Sequence, residues 1–278
     1  MERIKTRFAA NVDAARALPE YPRPQLVREG WMNLNGLYDY AVTPRGAQQP
    51  ERFEGQILVP FCIESALSGV ERALKPDELL WYRRTFELSE AFYGKKVILH
   101  FGAVDWQCKV WVNGKLVGTH TGGYCPFSFE ITGYINAHNN ELIVCVYDPT
   151  DEGWQQRGKQ VLKTHGFWYT ATSGIWQTVW LEAVDKCYIR EAKAVPDIDR
   201  GLFTLNIINH RLVRRRGEQA LAPIALIEQA ALEVGPVVEH QARQALFIAA
   251  DAAFAHAHIG AHGVVQPAPG GKLQLEII

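Results

Sequence analysis

Three features that would assign the chain to a specialised class of protein are missing from its sequence. No stretch reaches the roughly 18 consecutive apolar residues that a membrane-spanning helix needs, and residues 1–22 contain neither an apolar signal core nor a small-residue cleavage site. The 29 basic and 30 acidic residues leave a net charge of -1, so no basic excess is available to neutralise a phosphate backbone. We therefore expect no membrane or nucleic-acid partner, and a cytoplasmic location by default.

Cysteine pairs are missing as well. The five cysteines are odd in number, widely spaced and free of any C-x-x-C pair, which argues against a disulfide framework, a zinc site or a redox motif. Asp148 and Asp151 are candidates for a calcium site, but two carboxylates fall short of the roughly 6 to 8 oxygen ligands that Ca²⁺ takes. The sequence therefore predicts free thiols, no metal site and no cofactor.

Aromatic residues are scarce in the second part of the chain. All eight tryptophans lie at or before Trp180, and all ten tyrosines lie at or before Tyr188. From about Arg211 onward the only aromatic residues are Phe247 and Phe254, while alanine and histidine become frequent. A length of 278 residues is enough for one large or two ordinary domains. The change in composition predicts a domain boundary near residue 185 and a second break near residue 210.

The first part does contain short runs of β-branched and aromatic residues between turn signals, a pattern typical of strands. The clearest runs are residues 97–101 (VILHF), 108–112 (CKVWV), 115–118 (KLVG), 142–147 (LIVCVY) and 177–181 (QTVWL). Asn113 and Gly114 supply the positive φ angles of a type I′ turn between the second and third runs. Because no long amphipathic helix separates the runs, the pattern favours an all-β fold, a β-sandwich, over a βαβ fold.

The tail has a different periodicity. Apolar residues show helical spacing over residues 224–232 and 237–255, which are separated by Gly235 and Pro236. Residues 263–271 are rich in glycine and proline and predict a turn-rich, mobile stretch. We therefore expect an atypical, irregular or helical tail over residues 211–278.

Several segments, in their order and spacing, resemble the N-terminal jelly roll of glycoside hydrolase family 2, the family of β-galactosidases, β-glucuronidases and β-mannosidases. They are residues 31–40 (WMNLNGLYDY), 59–69 (VPFCIESALSG), 81–86 (WYRRTF), 99–106 (LHFGAVDW), 111–114 (WVNG), 122–132 (GGYCPFSFEIT) and 173–182 (SGIWQTVWLE). The resemblance implies a galactose-binding-domain-like jelly roll over residues 21–184. It also implies that residues 185–210 begin an immunoglobulin-like sandwich and that residues 1–20 form an N-terminal extension.

In this family the two β-sandwiches precede a catalytic (β/α)₈ barrel whose two glutamates act as acid/base and nucleophile. Such a barrel needs about 250 residues, more than the chain has after residue 184, so we expect a non-catalytic part of a family 2 β-glycosidase that is inactive alone. A β-glycoside is the expected ligand, and the catalytic domain or a second copy of the chain is the expected protein partner. A stand-alone carbohydrate-binding module and a structural or interaction module are the alternatives.

The resemblance places three candidate sugar-binding side chains in two loops. Asp77 lies where relatives send a polar side chain into the catalytic pocket, although a Pro-Asp pair is also typical of an ordinary turn. Trp168 and Tyr169 lie in the connection over residues 148–172, which is too long for a hairpin, and long loops are often functional. Packing of Trp168 against the sandwich is the alternative there.

The resemblance leaves the sugar specificity open, because relatives carry an aspartate shortly before residues 173–175, where this chain has His165 and Gly166. No catalytic residue can be named. The remaining tryptophans of the strand segments are expected in the core rather than on a binding platform. They are Trp31, Trp106, Trp111, Trp176 and Trp180.

Overall fold

The computed structural model describes residues 5–186, 188–197, 202–210, 262–268 and 272–277. These residues fall into two units, one within Met1–Pro22 and Gly30–Ala183 and the other within Arg23–Glu29 and Val184–Ile278. Nearly all regular structure described is strand. Over the described residues, helix is confined to single 3₁₀ turns at Ala9–Asn11, Ala14–Arg16, Pro24–Leu26, Ala66–Ser68 and Glu90–Phe92.

The first unit is built from two antiparallel sheets. Its strands are β1 (Trp31–Asn33), β2 (Gly36–Pro44), β3 (Gly55–Val59), β4 (Glu78–Phe86), β5 (Lys96–Phe101), β6 (Val104–Asp105), β7 (Gln107–Val112), β8 (Lys115–Thr121), β9 (Phe127–Glu130), β10 (Asn140–Tyr147), β11 (Gln160–Val161), β12 (Tyr169–Thr170), β13 (Gly174–Ile175) and β14 (Val179–Val184). Among the described residues, one sheet has the order β3-β2-β4-β10-β7-β8 and the other the order β1-β14-β5-β9. The predicted β-sandwich is confirmed.

The largest cluster of buried apolar side chains draws on both sheets, as a sandwich requires. Strand alternation explains its composition, since Cys108, Val110 and Val112 of β7 are buried while the side chains between them face outward. Tyr38 and Tyr82 meet edge to face within this core at 6.2 Å between ring centroids. The Tyr38 hydroxyl donates to the Leu34 carbonyl at 2.9 Å, so the phenol is buried without leaving its donor unpaired.

The predicted strands match β5, β7, β8 and β10, and β14 begins two residues later than expected, at Val179. Asn113 and Gly114 have φ angles of 51° and 74°, as the predicted type I′ turn requires. The opening segment, residues 31–40, differs from a single strand because it divides into β1 and β2, which belong to different sheets. Asn35 lies at the crossing, where its side-chain carbonyl accepts a hydrogen bond from the Val179 amide at 3.0 Å.

Residues 5–22 pack on the first unit. Ala17 is buried, and the Asn33 and Asn35 side-chain amides donate to its carbonyl at 3.3 and 3.1 Å. The Tyr21 hydroxyl donates to Glu182 of β14. Residues 17–21 are therefore held by hydrogen bonds to side chains of β1, β14 and the residue Asn35.

In the second unit, β15 (Tyr188–Asp197), β16 (Leu202–His210), β17 (His262–Ala268) and β18 (Lys272–Ile277) form one antiparallel sheet in that order. The expectation of a turn-rich stretch over residues 263–271 is wrong for residues 263–268, which belong to β17. The turn prediction relied on glycine and proline content alone. Pairing with β16 and β18 holds these residues in a strand instead. The two predicted helices, residues 224–232 and 237–255, lie outside the described residues. In the described parts of the chain, no helix has the length and hydropathy to cross a bilayer.

Candidate functional site

The connection from β10 to β13, residues 148–173, is the long loop that the sequence singled out, and we name it the aromatic loop. It is folded back on itself, because β11 and β12 within it pair in parallel with Gln160 opposite Tyr169. The Tyr169 amide donates to the Lys159 carbonyl at 2.7 Å. The loop is therefore an ordered platform rather than an irregular excursion.

Large aromatic side chains project from this loop into solvent. Trp154, Phe167 and Tyr169 are 88%, 65% and 63% exposed, and Trp168 is half-buried. Trp168 stacks on Phe167, with 5.1 Å between ring centroids and 27° between ring planes. Exposed aromatic rings of this kind are costly to leave in water and are a common mark of a binding surface.

Trp106 adds a hydrogen-bond donor beside the loop. Its ring meets that of Trp154 edge to face, with 5.6 Å between centroids. The Trp106 indole N–H is buried, and no acceptor among the described residues reaches it. A buried donor without an acceptor costs free energy, so this N–H does not stabilise the fold. The expectation that Trp106 belongs to the core holds only in part, because the ring is half-buried at the surface.

Buried carboxylates tie together the two ends of the aromatic loop. Asp148 Oδ2, at the start of the loop, accepts from the Ser173 hydroxyl at 2.7 Å, and its Oδ1 accepts from the Thr150 amide at 2.9 Å. Glu64, from the segment after β3, accepts from the Ser173 amide at 2.9 Å. The hydrogen bond between Asp148 and Ser173 therefore joins the two ends of the loop, and Glu64 holds the Ser173 end to the segment after β3.

The backbone after Ser173 fits against the sandwich core at close range. Gly174 has a φ of +89°, and a β-carbon there would lie 2.0 Å from the Tyr82 hydroxyl oxygen. That hydroxyl accepts a hydrogen bond from the Ile175 amide at 3.2 Å. Only glycine meets both conditions, which explains its place in the segment that ends the loop.

Gln160 joins the middle of the loop to its surroundings. Its side-chain oxygen accepts from the Thr172 amide at 2.6 Å, and its amide nitrogen donates to the Tyr124 hydroxyl at 3.0 Å. The same nitrogen approaches Asp105 Oδ2 at 3.5 Å. The short strand β11 is thus anchored by one side chain to three other segments.

The buried carboxyls of this region have unusual electrostatics. Burial raises the pKa of Glu64 to about 7. Burial, and then the neighbouring charge of Asp148, raise the pKa of Asp105 to about 7. Burial also raises the pKa of Asp148. No cation is among the causes of these shifts, so the cluster stays protonated more readily than ordinary carboxyls.

Raised carboxyl pKa values are typical of general acids, but burial argues against that use here. Glu64, Asp105 and Asp148 are 1–3% exposed, so none of them can flank a scissile glycosidic bond as hydrolysis requires. Within the described residues, no group of three or more histidine, cysteine or acidic side chains is placed to hold a metal ion. The arrangement can position the loop and bind a polar ligand on it.

The three predicted site residues lie in two segments of the first unit. Tyr169 is exposed on the aromatic loop, and Trp168 stacks on Phe167 beside it. Asp77 is exposed in a turn closed by a hydrogen bond from the Glu78 amide to the Lys75 carbonyl at 3.0 Å. No hydrogen bond or ring contact found among the described residues joins Asp77 to the aromatic loop.

Sequence reasoning missed Trp154, Glu64 and Asp105, and it considered Asp148 only as a calcium ligand. Trp154 follows Gly153 in a stretch of bends, so the same signal that indicated Trp168, an aromatic residue in an over-long loop, also applied to it. Glu64, Asp105 and Asp148 lie far apart in sequence, in the segment after β3, in β6 and after β10. No local pattern connects them.

A second surface feature lies on the outer side of the six-stranded sheet. It is a cavity of about 430 Å³ between β2, β3 and β4. Arg83 donates to Asp39 at 2.6 and 3.0 Å there, and its guanidinium lies 4.4 Å from the Phe53 ring centroid. Since these charged side chains satisfy one another, we regard the aromatic loop as the candidate site.

Comparison with known proteins places the aromatic loop inside a recognised domain. Residues 69–184 match the family described as "Glycosyl hydrolases family 2, sugar binding domain". The β-galactosidase of Thermoanaerobacter pseudethanolicus is 38% identical over 118 residues, which are 42% of this chain and 15% of that protein. A putative β-glucuronidase of Formosa agariphila is 30% identical over 116 residues, 41% of this chain and 13% of that protein. The chain thus spans a small part of the length of these relatives.

Among solved structures, the crystal structure of Ruminococcus gnavus β-glucuronidase superposes with a TM-score of 0.53 at 19% identity. The superposition covers 69% of this chain and 35% of that one. At this identity the likeness speaks for the fold, and it agrees with the two-sheet architecture. Over residues 69–184, which include the whole aromatic loop, the chain is similar to the sugar-binding domain of glycosyl hydrolases family 2.

Proposed function

We propose that the chain holds the sugar of a β-glycoside on the aromatic loop, and that it serves a family 2 glycosidase as a non-catalytic part. The observation that carries the proposal is the exposure of Trp154, Phe167 and Tyr169 on one ordered loop of a sugar-binding domain. The apolar C–H face of a pyranose stacks well on such rings. Polar groups beside the rings then meet the sugar hydroxyls.

Catalysis takes place outside the aromatic loop. The buried carboxyls of the loop base cannot reach a glycosidic bond, and the relatives' names include both β-galactosidase and β-glucuronidase. The chain matches about 15% or less of the length of those relatives. A catalytic domain, or a second copy of the chain, is the protein partner that we propose for it.

The first test is an assay of the chain for turnover of 4-nitrophenyl β-galactoside and β-glucuronide. We expect no hydrolysis, because the carboxyls at the base of the loop, Glu64, Asp105 and Asp148, are buried. Hydrolysis that disappears on substitution of one carboxylate would overturn the assignment of a non-catalytic role.

The second part of the test measures binding of methyl β-galactoside and methyl β-glucoside by ligand-observed NMR. Tyr169→Ala is expected to weaken binding about fivefold, since stacking on an aromatic ring contributes about 1 kcal/mol. Tyr93→Ala is the matched control, because Tyr93 is similarly exposed but lies in the segment before β5. Equal affinities in both variants would show that the loop is not the binding surface.

A further inference from the structure

The aromatic loop carries a cation in contact with two of its exposed rings. Lys159 Nζ lies 5.6 Å from the Phe167 ring centroid and 5.7 Å from that of Tyr169. The parallel pairing of β11 and β12 enforces this position, because the Tyr169 amide donates to the Lys159 carbonyl. The ammonium is therefore presented together with the rings that would stack on a sugar.

A second cation, Arg157, lies beside the neighbouring ring of Trp168. The Arg157 guanidinium carbon lies 5.7 Å from the Trp168 ring centroid, and its Nη1 donates to the Asp151 carbonyl at 2.9 Å. In the part of the chain that the structure describes, neither Lys159 nor Arg157 forms an ion pair with a carboxylate. The surface thus offers two cations that have no ion-pair partner among the described residues.

The nearby acidic groups do not cancel this charge. Asp148 and Asp105 are buried beneath the loop, and burial raises the pKa of both. Glu152 is exposed within the same loop but forms no ion pair with either cation. A ligand that stacks on Phe167 and Tyr169 therefore brings its substituents close to an unpaired ammonium.

We infer that the aromatic loop selects an anionic sugar, with Lys159 binding its carboxylate or sulfate while Phe167 and Tyr169 stack on the pyranose ring. This inference rests on the proposed function and names its ligand class. A neutral sugar stacks on the same rings but leaves the ammonium without a charged acceptor. An acidic sugar gains a charge-assisted hydrogen bond, which is stronger than a neutral one.

The test compares two sugars that differ at one carbon. Methyl β-glucuronide carries a carboxylate where methyl β-glucoside carries a hydroxymethyl group, so their difference isolates the charge. Binding of each to the whole chain is measured by ligand-observed NMR at neutral pH and low salt. We expect the glucuronide to bind about fivefold more tightly, and the preference to shrink in about 0.5 M salt, where exposed charges are screened.

Variants assign the preference to one side chain. Lys159→Gln is expected to abolish the preference of the chain for the glucuronide over the glucoside, and Lys159→Arg is expected to keep it. Lys115→Gln is the matched control, because Lys115 is also exposed but lies on the β7–β8 hairpin. If Lys159→Gln does not fold, the salt dependence in the unaltered chain still tests the role of charge.

The outcomes separate this inference from the proposed function. Equal binding of both sugars by the unaltered chain overturns the anionic preference but leaves sugar binding intact, whereas binding of neither overturns the proposed function itself. A preference that survives in Lys159→Gln overturns the assignment to Lys159. Glucose 6-sulfate is the third probe: binding equal to that of the glucuronide supports anion recognition in general, and weaker binding supports the carboxylate as the preferred group.

Discussion

Two regions of the first unit are buried to the same extent but are chemically opposite. Between the sheets, Phe101 and Leu142 are among the fully buried side chains, and they are wholly apolar. Beneath the aromatic loop, Glu64, Asp105 and Asp148 are 1–3% exposed and ionisable. Burial alone therefore does not show how a region contributes to stability.

The difference follows from the transfer free energies of the groups. Removing apolar surface from water stabilises the fold by about 25 cal/mol per Å², whereas removing a carboxylate costs free energy unless hydrogen bonds replace its hydration. Asp148 and Glu64 recover part of that cost through the hydroxyl and amide of Ser173. The core stabilises the sandwich, and the polar base positions the loop that the sandwich displays.

The largest expected effect comes from opening the apolar core. Phe101→Ala removes a fully buried ring that stacks on Phe127 at 4.9 Å between centroids, and it is expected to lower the unfolding free energy by about 4 kcal/mol. Phe167→Ala is the control in the other region, where the exposed ring should change stability by less than about 0.5 kcal/mol. Urea unfolding followed by fluorescence measures both. Similar losses of unfolding free energy in the two variants would contradict the difference between the apolar core and the aromatic loop.

The next effect comes from the boundary between the two regions. Gly174→Ala places a β-carbon against the Tyr82 hydroxyl oxygen and requires a positive φ, so we expect a loss of about 3 kcal/mol. Gly94→Ala separates the two causes, because Gly94 also has a positive φ, +71°, but has open space around its β-carbon position. Its loss should be about 1 kcal/mol. Equal losses would show that the contact with Tyr82 is unimportant.

The sequence was most informative where the structural signal is local. Strands β5, β7 and β10 were predictable because each is a run of apolar or alternating residues, and the turn at Asn113 and Gly114 follows from their conformational preferences. The division of residues 31–40 between two sheets was not predictable, since it depends on Asn35 meeting the distant residue Val179.

The candidate site shows the same limit. Tyr169 could be proposed from the length and aromatic content of its loop, but the position of Lys159 beside it depends on the parallel pairing of β11 with β12. Two-residue strands leave no periodicity to detect. The cluster of Glu64, Asp105 and Asp148 requires three segments to meet in space, which a single sequence without a known fold does not reveal.

The smallest expected effect concerns Asp105 and appears only as the pH rises. Its pKa is about 7 in the folded chain, raised by burial and then by Asp148, against an ordinary value of 3.8. Since the folded state holds the proton more tightly, the stabilising effect is fully present below about pH 4 and is lost as the pH rises through about 7. Asp105→Asn keeps the shape but cannot ionise. Its stability relative to the unaltered chain should therefore grow between pH 4 and pH 8, by at most about 1.4 kcal/mol for each pH unit.

Urea unfolding at a series of pH values tests this prediction. Any destabilisation by the asparagine itself is the same at every pH, so the change with pH in the difference between the two unfolding free energies reports on Asp105 alone. Asp77→Asn is the control, since it removes an exposed carboxylate from a turn and should stay within about 0.5 kcal/mol of the unaltered chain throughout. A difference for Asp105→Asn that does not change with pH would mean that Asp105 reaches water in solution. The base of the aromatic loop would then be an open polar cleft, and its contrast with the apolar core would be one of exposure rather than of chemistry.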